Sequence, residues 1–136
     1  MKRFFCLRVK AFTLMELLVA LLIISALTLA VVINYMPVIS KAKATEAQLQ
    51  LEHIYTMQKN YFYLNSKYSA SFPEISYEPN KLVTEGGTAN YKIEIVDASV
   101  KGFKAKASAV VDFDGDGAFN VWEVDQDKTI KEVTPD

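Results

Sequence analysis

From Phe12 to Ile39 the chain is almost wholly apolar, and between Leu17 and Ile39 its main polar interruptions are Ser25, Thr28 and Asn34. As a helix this stretch measures roughly 42 Å at about 1.5 Å per residue, and about 20 such residues cross a bilayer. From Lys41 the pattern changes. Ala44, Ala47, Leu51, Ile54, Gln58, Tyr61 and Phe62 recur at steps of three and four, which predicts an amphipathic continuation of the helix to Leu64–Ser66. Strong helix formers fill Lys41–Gln50. From Phe12 the helix is then about 54 residues, or roughly 80 Å. An apolar stripe that outruns a bilayer needs a second partner, so its C-terminal half is expected to carry a sheet.

Residues 69–89 hold Pro73, Pro79, Gly86 and Gly87 and read as a connection with short local structure at most. Alternation then begins: Tyr91, Ile93 and Ile95 against Lys92 and Glu94, and Phe103, Ala105, Ala107 and Ala109 against Lys104, Lys106 and Ser108. Asp97–Gly102 joins the two as a hairpin, and Phe119–Val124 and Thr129–Val133 are further strands. The fold class expected is α+β, a long helix packed on a small antiparallel sheet of three or four strands.

Charge orients this arrangement. Lys2, Arg3, Arg8 and Lys10 give the first eleven residues four positive charges, while the whole chain carries −1. The remainder is therefore −5 (−1 minus 4), which speaks against a basic nucleic-acid surface. Basic residues before an apolar span keep the N-terminus cytoplasmic and send the rest across the membrane. The apolar core is too long for an ordinary signal peptide, and no Ala-x-Ala-like site follows it cleanly. The single cysteine, Cys6, lies in the basic leader, so the exported part has no disulfide.

Glu16 does not fit a plain anchor, because a carboxylate in hydrocarbon costs roughly 3 kcal/mol or more. Ala11 followed by Phe12-Thr13-Leu14-Met15-Glu16-Leu17-Leu18 resembles the class III leader junction of type IV pilins and pseudopilins. The resemblance implies cleavage between Ala11 and Phe12 by a prepilin peptidase and methylation of the new Phe12 amine, with Cys6 lost in the leader. That family usually has glycine where this chain has Ala11. It also implies self-assembly into a helical filament by an assembly platform, from a single-pass precursor in the inner membrane with a periplasmic head. Glu16 of one subunit would pair with the Phe12 amine of a neighbour. Pairing makes a buried charge tolerable, and removing one partner strands the other.

The expected segments are a leader 1–11, a membrane and assembly helix 12–40, an amphipathic helix 41–65 and a head 66–136. Pro37 removes a backbone donor inside the helix and is expected to kink or locally melt it near Ile33–Pro37. The family's usual helix proline falls four residues earlier, where this chain has Ile33.

The acidic run 112–123 has the oxygen spacing of a calcium loop. Asp112, Asp114 and Asp116 fill the first, third and fifth places and Gly117 the sharp sixth. Ala118 lends a carbonyl, and Asn120 and Glu123 complete the expected set, with Asp125 and Asp127 as substitutes for Glu123. Its strand-like flanks are unlike the helices of an EF-hand. A solvated Asp-Gly turn is the competing reading.

No catalytic constellation accompanies these features. His53 is the sole histidine, on the long helix, with no motif around it. There is no phosphate-binding glycine loop and no paired cysteine motif. The resemblance then implies a structural role, that of a type IV pilus subunit serving adhesion, twitching motility or DNA uptake. The alternatives are a type II secretion pseudopilin in a periplasmic filament and a membrane-anchored calcium-binding module.

Overall fold

The computed structural model describes residues 12–135. Its first element is α1 (Leu14–Asn65), 52 residues assigned as helix without interruption at Pro37. The helix stops where Ser66 takes a left-handed φ of 56°. There the Ser66 amide closes onto the Phe62 carbonyl and the Asn65 amide group caps the Tyr61 carbonyl. The chain divides into two units that meet between Tyr35 and Met36.

In the first unit the window Leu14–Val31 is long and apolar enough to cross a membrane, and none of it is buried. Ser25 and Thr28, two of its polar side chains, donate to the carbonyls of Leu21 and Ile24 one turn back. Their hydroxyls thus need no water, the condition a bilayer imposes on polar groups.

In the second unit four strands form an antiparallel meander in the order β1-β2-β3-β4. They are β1 (Tyr91–Ala98), β2 (Phe103–Ala109), β3 (Val121–Asp125) and β4 (Ile130–Thr134). Alternation sets the register. Ile93 pairs with Ala107 and Ala107 with Trp122, so one apolar row crosses three strands. The helix presents Ala44, Ala47, Leu51, Ile54 and Gln58 to the core, the three- and four-residue steps of one helical face. On its inward face β2 carries Phe103 and then alanines at 105, 107 and 109, all buried.

The connection 66–90 does more than span a gap. Tyr68, Ile75 and Tyr77 are buried in the same core. Gln58, fully buried, holds this connection through both amide atoms: its Nε2 donates to the Ser69 carbonyl at 2.6 Å, and its Oε1 accepts from the Ser69 amide at 3.1 Å. A second tie runs from Glu46, whose two carboxylate oxygens accept from the Asn90 amide and side chain at 2.8 and 2.6 Å. Short local structure is present as a 3₁₀ turn at Val83–Glu85.

The core stops at β3. Val124 is buried, whereas no residue of β4 is.

Candidate functional site

Among the described residues two places carry chemistry, one in each unit. At the helix start, Thr13 and Glu16 bond reciprocally. The Glu16 amide donates to Thr13 Oγ1 at 3.2 Å, and Glu16 Oε2 accepts from the Thr13 amide at 3.4 Å. This is a capping box, which satisfies two of the amides left without partners at any helix start. The Thr-x-x-Glu spacing was there to be read in the sequence as a cap as well as a misplaced charge. Phe12 is exposed beside it. Ala11 and Cys6, the expected cleavage-site and leader residues, lie outside the described residues. Pro37 lies in continuous helix.

In the second unit the loop between β2 and β3 brings Asp112, Asp114 and Asp116 together, with one carboxylate oxygen of each within 4.8 Å of the others. The local fold explains why. Asp112 accepts from the Gly115 amide at 2.6 Å and the Gly117 amide at 2.8 Å. Asp114 accepts from the Asp116 amide and Asp116 from the Ala118 amide, each two residues on. Gly115 and Gly117 take φ values of +82° and +91°, which an L side chain rarely adopts. The Gly117 and Gly115 amides hold the Asp112 carboxyl below its ordinary 3.8.

Asn120, Glu123, Asp125 and Asp127, also expected as ligands, make other contacts. Asn120 is buried and its side chain is fully engaged. Its Oδ1 accepts from the Tyr91 hydroxyl at 2.8 Å and the Trp122 indole at 2.6 Å. Its Nδ2 donates to Glu132 at 2.7 Å and to the Thr134 carbonyl at 3.1 Å. Glu123 stands in β3, paired across strands with Lys106 and Lys131, and its carboxylate lies 3.6 Å from Lys104 Nζ. Asp125 caps the β3–β4 turn by accepting from the Asp127 and Thr129 amides. Asp127 accepts from Gln126. Among the described residues the structure gathers three carboxylates, and Phe113 anchors their loop by packing its ring 5.9 Å from that of Tyr91.

His53 sits edge-on to Tyr77, ring centroids 5.5 Å apart, which is a packing role.

Comparison with known proteins bears on the first place. Residues 6–32 match the family described as Prokaryotic N-terminal methylation motif. Over 74 residues the chain is 32% identical to the Type IV major pilin protein PilA of Myxococcus xanthus (strain DK1622), a stretch covering 54% of this chain and 34% of that protein. The matched stretch thus spans about a third of the length of this relative. Together these likenesses support the type IV pilin family.

Proposed function

From these likenesses, we propose that the protein is a type IV pilin subunit, cut between Ala11 and Phe12, methylated at Phe12 and polymerised through its N-terminal helix. One observation carries the reading: the methylation motif opens a helix whose membrane-length apolar window is wholly exposed. Such a surface is stable in lipid or against copies of itself, and not in water. Before assembly the helix lies in the inner membrane with the head on the periplasmic side. After assembly the same surface is buried between subunits, and Glu16 meets the Phe12 amine of a neighbour.

A filament of this kind serves adhesion, twitching motility or DNA uptake. The outer sheet face gives no preference for a polyanion, because Glu94, Lys106, Glu123 and Lys131 alternate in sign along one row across all four strands. Phosphate binding needs an excess of cations. The test is recovery of sheared surface filaments from cells expressing the chain. Their presence with wild type, and their loss when Ala11–Phe12 cleavage is blocked, are the expected results. Filaments built from uncleaved chains would defeat the reading.

A second reading concerns the acidic loop. We propose that Asp112, Asp114 and Asp116 take a calcium ion, whose bonds of about 2.3–2.6 Å suit oxygens this close together. Calcium takes 6–8 oxygens, so backbone carbonyls or water supply the remainder. The ion would fix the loop that leads into β3.

A further inference from the structure

The tie between Glu46 and Asn90 has a third member. Lys43 lies three residues before Glu46 on α1, hence on the same helical face, and its Nζ stands 3.4 Å from Asn90 Oδ1. Asn90 is held in place on every side. Its backbone amide and its Nδ2 both donate to the Glu46 carboxylate, at 2.8 and 2.6 Å, and its carbonyl accepts from the Val110 amide at 2.9 Å. Glu46 is fixed in turn by the Gln50 side-chain amide at 3.1 Å. Asn90 is only 9% exposed, and its chain neighbours Ala89 and Tyr91 are buried, as are Ala44 and Ala47 beside Lys43 and Glu46. A primary amine, a carboxamide and a carboxylate thus meet at the margin of the core.

We propose that Lys43 and Asn90 become joined by an isopeptide bond, with Glu46 carrying the proton. The neutral Lys43 Nζ adds to Asn90 Cγ, the bond from Cγ to Nδ2 breaks, and Nδ2 leaves as ammonia. Glu46 takes the proton that Nζ gives up and delivers it to Nδ2, against which its Oε2 already rests. One carbon–nitrogen bond forms and one breaks, so the step consumes no oxidant, metal or energy source. Starting from the Lys43 ammonium, the additional proton departs with the ammonia. A carboxamide is a poor electrophile in solution, but groups held together reach effective concentrations of about 10⁵–10⁸ M. Burial keeps out water, the competing nucleophile. The contact of Lys43 with Oδ1 is long for a hydrogen bond, so little restrains the amine from turning onto the adjacent carbon. The bond closes residues 43–90 into a covalent loop and fastens α1 to the start of β1. It does so in a chain whose single cysteine, Cys6, has no internal partner for a disulfide. Cross-links of this kind stabilise chiefly by restricting the unfolded chain.

The experiment purifies the full chain from cells in detergent and measures its intact mass and its protease fragments. The expected wild-type protein is lighter by one ammonia than its sequence requires and yields a branched peptide joining the Lys43 segment to the Asn90 segment. Lys43→Arg, Asn90→Ala and Glu46→Gln, each checked for its helix content by circular dichroism, should restore the full mass and unfold at a lower temperature. The branched peptide of the wild type decides the matter even where a variant fails to fold. Wild-type protein of full mass with unlinked Lys43 and Asn90 peptides overturns the inference. Loss of ammonia that maps to a single unbranched peptide overturns it equally. Complete linkage in Glu46→Gln would remove Glu46 from the reaction. None of these outcomes depends on whether filaments form.

Discussion

Thr13 and Glu16 close a reciprocal pair at the start of the membrane-length helix, each side chain accepting the other's backbone amide. The carboxylate, out of place among apolar residues, therefore has a role in the single chain. It holds the helix start and is drawn toward the Phe12 end. Assembly would add a neighbouring amine to a carboxylate already oriented.

Two substitutions separate the cap from the charge. Glu16→Gln keeps a side chain that serves in a capping box but loses the charge, whereas Glu16→Ala loses both. Pairing with a neighbour's amine predicts that both insert in the membrane and that both lose most sheared filament. If Glu16→Gln assembled normally, capping alone would account for the residue.

Gln58→Leu preserves approximate size and strands the amide and carbonyl of Ser69 in a buried place. Leaving buried backbone groups without partners costs about 1–3 kcal/mol each. The head should melt several degrees lower, and hydrogen exchange should quicken first at the Ser69 amide. Unchanged exchange there would mean that Gln58 is not what pins the connection.

The acidic loop has a pH signature. The Gly117 and Gly115 amides lower the Asp112 carboxyl below its ordinary 3.8. A lowered folded value gives stability that is complete above the unfolded value and lost as pH falls through the folded one. Loop order should thus hold at neutral pH and fail only below about pH 4. NMR titration of the Gly115 and Gly117 amides checks this, and Asp112→Asn should remove the transition.

Calcium binding predicts a higher melting temperature for the detergent-dispersed chain with calcium than with chelator. Sites of this kind outside the cell work near 10⁻⁴–10⁻³ M, so millimolar calcium is the relevant condition. Asp114→Ala should abolish the difference. Equal melting with and without calcium would make the loop a hydrogen-bonded turn sufficient in itself.

Periodicity made most of the fold legible. Steps of three and four placed α1 to its end at Asn65, and alternation placed the four strands within a few residues. Position along the chain could not say where a side chain would be spent. Asn120 fits a ligand spacing, yet the same amide sits where Tyr91, Trp122, Glu132 and Thr134 converge, and folding engages all of its bonding capacity. Glu123 falls at a loop-spacing position and also at a strand position facing lysines, and the strand register decides its place. The stretch 69–89 read as a connecting loop because its apolar residues lack a period, although Ile75 and Tyr77 enter the core.

Mass spectrometry of the mature protein from cells tests the central claim most directly. A subunit processed at the motif begins at Phe12 and carries a methyl group on its amine. A mature, filament-associated species that retains residues 1–11, or that begins elsewhere, would contradict it.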